Sequence, residues 1–273
     1  MVWLSLIFGA VVGLSLGLTG GGGAIFAVPL LVYGLHVPAR EAVGISLAAV
    51  GTTSLVGFLH RWKLEQVEIR TGLLFAVAGM VGAPAGTWIA GFMPETVLLL
   101  SFAGLMIFVA VRLWRQVSHP VLLTEPACPT PEHLDGPTCQ RDVAGALILT
   151  SRCAVLLLIV GMLTGVLSGV FGVGGGFVIV PALVLFSGMS IHRAVGTSLM
   201  VIALVSVSGV ASQLWAGRAI SPVFLVLFVI GGIAGLFAGQ QIGRRLSGPA
   251  LQKVFAVAIL AVAAFVIIRN LSA

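Results

Sequence analysis

The chain has 273 residues, of which 59% are hydrophobic and 8% charged, with a formal charge of +6. A soluble domain carries about a quarter charged residues, so this balance excludes a water-soluble fold of the same size. Several apolar runs reach about 20 residues, the length that crosses a hydrocarbon core roughly 30 Å thick. The short alternating segments of a transmembrane β-barrel are missing. The class is all-α integral membrane protein.

Taken in chain order, the first apolar run covers 2–18. It lacks the basic start and small-residue cleavage site of a secretory signal and reads as a retained helix. Further apolar runs follow at 24–35, 40–59, 70–91 and 96–113. A polar, proline-containing stretch from Arg115 to Asp142 then interrupts and reads as a flexible cytoplasmic linker. The pattern resumes at 153–170, 176–187, 191–214, 220–243 and 250–268. The expected organisation is an N-terminal transmembrane repeat over 1–114, the linker over 115–142 and a C-terminal transmembrane repeat over 143–273.

Cys128, Cys139 and Cys153 are too few and too scattered for a disulfide framework and read as ordinary thiols. With His119, His133 and Asp135 the linker cysteines have metal-ligand chemistry, but their spacing matches no closed zinc pattern, so no metal site is expected.

The two halves resemble each other when one is slid over the other by 152 positions. Gly17 then meets Gly169, Gly20 meets Gly172, Gly22 and Gly23 meet Gly174 and Gly175, and Pro29 meets Pro181. Ala42 to Leu47 falls on Ala194 to Leu199, and with one extra residue Gly79, Gly82 and Gly86 fall on Gly232, Gly235 and Gly239. Five elements per half is an odd number, so the second half enters the membrane from the opposite side, the architecture of two inverted repeats. The positive charge supports this orientation and needs no nucleic-acid partner. Arg61, Lys63 and Arg70, then Arg112, Arg115, Arg141 and Arg152, then Arg244, Arg245 and Lys253 all fall on the side taken as cytoplasmic. Arg40, Arg218 and Arg269 fall opposite, and both termini are expected outside.

The sharpest chemical feature is a pair of glycine clusters: Gly20, Gly21, Gly22 and Gly23 in the first half, Gly172, Gly174, Gly175 and Gly176 in the second. Each glycine costs a helix interior roughly 1 kcal/mol relative to alanine, so both clusters are expected to break helices at the membrane midplane. Broken backbone there is buried or lines a cavity, and a fresh helix start offers free N–H groups to an anion. A nucleotide-binding P-loop is excluded, because no Lys-Ser or Lys-Thr pair follows either cluster. The ladder Gly231, Gly235, Gly239 and Gly243 is instead read as helix packing.

Small hydroxyls follow the breaks: Ser46, Thr52, Thr53 and Ser54 in the first half, Thr197, Ser198, Ser206 and Ser208 in the second. A hydroxyl donates to an anion without carrying charge. The expected substrate ring is the two sets of glycine amides with Ser46, Thr52, Thr53, Thr197 and Ser198. Glu41, Glu65, Glu68 and Glu95 all lie near segment ends, which disfavours a cation path, since cation carriers place carboxylates in the membrane. His60, Arg61, Gln213 and Trp215, with Ser212, are candidates for gates at helix ends. The chain shows no paired acids, no HExxH and no nucleophile elbow, so neither an enzyme nor a cofactor is expected.

The doubled pattern of glycine-rich break, proline and Ala-Val-Gly-x-Ser-Leu resembles the TauE/SafE-type family of sulfite and organosulfonate exporters. It occurs at Gly20 to Pro29 with Ala42 to Leu47, and at Gly172 to Pro181 with Ala194 to Leu199. The resemblance spans essentially the whole chain apart from the linker. It implies export of a small anion such as sulfite, a sulfonate or thiosulfate across a cell's inner or plasma membrane, with a proton or cation as coupling partner. Ile45 stands where the second half has Thr197, a departure from the stronger form of the motif. A passive anion channel and a metal permease served by the linker thiols are the alternatives, and oligomeric state is not legible.

Overall fold

The structure is a computed structural model and describes residues 2–118, 151–187, 189–218, 221–243 and 248–271. The polar stretch 119–150, with Cys128 and Cys139, lies outside the described residues. The first half contains α1 (Val2–Thr19), α2 (Gly22–Gly34), α3 (Ala39–Trp62), α4 (Ile69–Phe92) and α5 (Glu95–Ser118). The second contains α6 (Ser151–Phe171), α7 (Gly176–Ser187), α8 (Ile191–Trp215), α9 (Pro222–Gly243) and α10 (Gly248–Leu271). Helix α5 continues into the stretch read as linker. Helix α2 opens as a 3-10 turn over Gly22–Phe26 and ends as a π turn over Leu30–Gly34, whereas α7 is regular.

Six of the helices are long and apolar enough to cross a bilayer, and the protein is multi-pass. All five tryptophans sit near helix ends, with exposures of 79% for Trp3, 52% for Trp62, 69% for Trp88, 46% for Trp114 and 94% for Trp215. Exposed indoles at helix ends suit the two headgroup layers, where an apolar ring and an N–H donor are both satisfied.

Packing follows the sequence repeat. Helix α1 lies on α9 as α6 lies on α4, α3 meets α8 near the centre, and α5 meets α10. The α1–α9 and α4–α6 pairs are backbone to backbone. A Cβ on Gly13 would stand 1.9 Å from the Gly232 carbonyl oxygen, and one on Gly235 2.0 Å from that of Ala10. Gly165 and Gly79 make the same approach between α6 and α4 at 2.1 Å. Without a hydrophobic drive between helices in lipid, close backbone packing supplies the attraction. The ladder in α9 is therefore packing, as read, though a Cβ on Gly243 would make only ordinary contact, 3.5 Å from Leu18.

The α3–α8 crossing runs in opposite chain directions. Leu47 lies against Gly209, Gly51 against Ser206 and Gly57 against Leu199. Cys153 is fully buried near the start of α6.

Candidate functional site

Helices α1 and α6 stop in the same way. Gly20 and Gly172 take left-handed conformations, φ 73° and φ 71°, and their N–H groups bond back to the carbonyls of Leu16 and Ser168, both at 2.8 Å. A left-handed residue closing the last turn is a glycine terminator, because a Cβ there would be strained. Space forbids one too: at Gly20 it would meet Val195 at 2.4 Å, and at Gly172 it would meet Val43 at 2.8 Å. Val43 and Val195 are themselves partners under the 152-residue shift.

Beyond these terminators the two breaks touch. A Cβ on Gly21 would lie 2.6 Å from the Gly176 Cα, and one on Gly176 would lie 2.5 Å from the Gly21 Cα. Gly20, Gly21, Gly23 and Gly172 to Gly176 are buried, and Gly22 is half-buried. Gly174 is walled by Ile202 and Val50, another pair related by the shift, and Gly175 packs on Thr164. The structure thus brings the two predicted glycine clusters together, packed closed. The nearby cavity lined by Val12, Gly13, Leu16, Ala49, Val50, Thr53, Phe228 and Gly232 holds about 10 Å³, room for one water at most.

The hydroxyls divide. Ser46 Oγ donates to the Gly172 carbonyl and Ser198 Oγ to the Gly20 carbonyl, both at 2.6 Å, and Ser198 also reaches the Val195 carbonyl at 2.8 Å. Each serine therefore fastens the opposite half's helix terminator, and in this arrangement its proton is committed to a carbonyl rather than to a substrate. Thr197 Oγ1 accepts the Glu68 N–H at 3.0 Å, tying the start of α4 to α8. Ile45 has no hydroxyl to do the same, so the departure in the motif is a difference in loop fastening. Thr52 is exposed, its hydroxyl turned onto its own helix at the Ala48 carbonyl, 2.7 Å away. Thr53 is buried against Gly232. Ser208 donates to the Met80 carbonyl at 2.7 Å.

Of the hydroxyls that follow the breaks, Ser54 and Ser206, 0% and 1% exposed, have no hydrogen-bond partner for Oγ among the described residues, a condition shared by Ser168 on α6 and by Ser212 and Tyr33. Ser54 and Ser206 are also related by 152 positions, a signal present in the sequence.

The gate candidates separate likewise. Trp215 is 94% exposed, and His60 is exposed with its ring edge-on to Phe237 at 5.6 Å. Arg61 and Gln213 belong to a matched arrangement. Arg61 donates to Gln66 Oε1 at 3.3 Å, and Arg218 donates to Gln213 Oε1 at 2.9 Å. Positions 61 and 66 correspond to 213 and 218, so the same bond joins the same places with arginine and glutamine exchanged. The backbone repeats it: the Gln66 N–H bonds the Arg61 carbonyl and the Arg218 N–H bonds the Gln213 carbonyl, each at 3.2 Å. Glu65 and Gly217 supply the left-handed residue, φ 55° and φ 69°.

Arg218 also reaches the Thr87 carbonyl at 3.4 Å, while Arg40 reaches those of Gly91 and Met93 at 3.3 and 3.0 Å. Both cations thus sit at the negative end of the α4 dipole. Burial, and secondarily Arg40, lower the Arg218 pKa. Arg218→Gln is expected to lower stability by about 1–2 kcal/mol. Adding Gln213→Arg, which copies the first half's order, should restore most of it in a thermal melt in detergent.

A "Probable membrane transporter protein" of Xylella fastidiosa strain Temecula1 is 34% identical over 96% of this chain and 93% of its own length. The "Probable membrane transporter protein YdhB" of Bacillus subtilis is 29% identical over 84% of this chain and 85% of its own. One from Methanocaldococcus jannaschii is 27% identical over 78% of this chain and 72% of its own. No solved structure matches. The family described as "Sulfite exporter TauE/SafE" matches residues 5–266, and the chain belongs to that family of membrane transporters.

Proposed function

We propose that the protein is a secondary transporter that exports a small anion, such as sulfite or an organosulfonate, by alternating access coupled to a proton or cation gradient. The observation that carries this reading is the backbone contact of Gly21 with Gly176. Two helix breaks from the two repeats close on each other beside the crossing of α3 and α8, which run oppositely though they are repeat partners. That geometry is the one inverted repeats produce. It supports a midplane site reached from one side or the other as one repeat rocks against its partner.

The buried polar side chains among the described residues are Ser, Thr and Gln213, a donor-rich and uncharged set that favours an anion over a cation. The orientation that fits the basic residues places the linker in the cytoplasm of the inner or plasma membrane and both termini outside.

The test is flux in proteoliposomes. Sulfite accumulating against its gradient when a proton or sodium gradient is imposed supports the reading. Downhill flux alone would replace it with a passive channel, and nickel flux in place of sulfite flux with a metal permease.

A further inference from the structure

Helix α7 is α-helical from its first residue over 12 residues, with Pro181 inside it, whereas the first break opens into five residues of 3-10 geometry. At the start of α7 the N–H groups of Val178 and Ile179 both bond the Gly175 carbonyl, at 3.0 and 3.2 Å. The N–H groups of Gly176 and Phe177 are first-turn donors that helix geometry leaves unpaired. On α8, Ser206 is 1% exposed and without a hydrogen-bond partner for its Oγ among the described residues. That oxygen lies 3.9 Å from where a Cβ on Gly174, two residues before α7, would be, and 3.1 Å from where one on Gly51 of α3 would be. A buried hydroxyl left unpaired is unfavourable, and the arrangement is explained if it is paired during transport.

We propose that Ser206 Oγ–H and the first-turn amides of α7 form the substrate's oxyanion subsite, opened when Gly21 withdraws from Gly176, and that this subsite takes singly charged oxyanions. The argument for single charge is electrostatic. The donors are neutral and the walls at Gly174 are Val50 and Ile202. No Lys, Arg or His is among the buried polar side chains of the described residues. The desolvation cost of an ion grows as the square of its charge, so a dianion loses roughly four times as much as a monoanion. A helix start supplies only about half a compensating charge. Hydrogen sulfite and alkyl sulfonates meet this condition; sulfate and the sulfite dianion do not. Ser54, the repeat partner, is equally unpaired and is the candidate for the same role in the oppositely facing state.

This inference rests on the anion-transport reading, and the experiment separates the two. Binding of methanesulfonate and sulfate, similar in shape and different in charge, is measured by calorimetry on the purified full chain and on Ser206→Ala, Ser206→Cys and Ser208→Ala. The wild type is expected to bind methanesulfonate and not sulfate. Ser206→Ala should weaken methanesulfonate binding on the order of tenfold or more, with an unligated melting temperature equal to or above wild type because an orphan hydroxyl is gone. Ser206→Cys should bind with intermediate strength, and Ser208→Ala should bind as the wild type does. Equal binding of sulfate and methanesulfonate, or methanesulfonate affinity unchanged in Ser206→Ala, overturns the subsite while leaving anion transport standing. A wild type that binds neither these anions nor hydrogen sulfite overturns both.

Discussion

A single methyl group at Gly176 is expected to cut anion flux on the order of tenfold or more. The Cβ of Gly176→Ala would stand 2.5 Å from the Gly21 Cα and 2.6 Å from Ile202 Cδ1. The second contact involves the tip of a flexible side chain and relaxes easily; the first involves backbone at a helix terminator and does not. Overpacking of this kind costs about 1–3 kcal/mol, which shifts a two-state equilibrium away from the closed arrangement by roughly 5- to 150-fold. Gly176 begins α7, and alanine is the better helix former, so a loss cannot come from local helix propensity. Gly104→Ala is the matched control, since a Cβ there meets nothing within 4 Å, and its flux should equal wild type. Flux per folded molecule in proteoliposomes is the measurement. Unchanged flux in Gly176→Ala would mean that closure of the two breaks is not a step in the transport cycle.

How far the sequence led depends on which physical signal each feature left. Hydrophobic length and glycine punctuation place the starts of the described helices within a few residues, because crossing a bilayer is a length requirement for the long ones and glycines mark the ends of the short ones, while α5 runs past its apolar stretch to Ser118. The 152-residue shift pairs Ser46 with Ser198, and the structure gives them matching roles. Their partner carbonyls were not legible, since those depend on the register between halves and on serine rotamers. Thr52 shows the main obstacle. In lipid both the core face and the outer face of a helix are apolar, so periodicity does not tell inside from outside, and Thr52 and Thr53 look equivalent although one is exposed and the other buried. The exchange of Arg61 with Gln213 and Gln66 with Arg218 was present in the shift, as was Ser54 with Ser206. An identity comparison passes over the first pair, because it conserves the interaction while swapping its ends.

Ser46→Ala and Ser198→Ala are expected to bias the protein in opposite directions, and the double variant to bring it back toward balance. Each hydroxyl holds one half's helix terminator to a helix of the other half, Ser46 on Gly172 and Ser198 on Gly20. Removing either leaves a buried carbonyl unpaired at a cost of about 1–3 kcal/mol, a population shift of roughly 5- to 150-fold. If the repeats are inverted, the two bonds close paths from opposite membrane faces, so the loss of one loosens access from one side only. The readout is labelling of a cysteine placed at Ile202, beside Gly174, in a background without the native cysteines, by an impermeant thiol reagent applied to each face of oriented vesicles. Ser46→Ala and Ser198→Ala should raise labelling from different faces, while sulfonate affinity changes little, because in the closed arrangement these protons serve carbonyls. Labelling that rises from the same face in both variants would break the link between the paired serines and alternating access. A large loss of affinity in either variant would return that serine to the substrate ring.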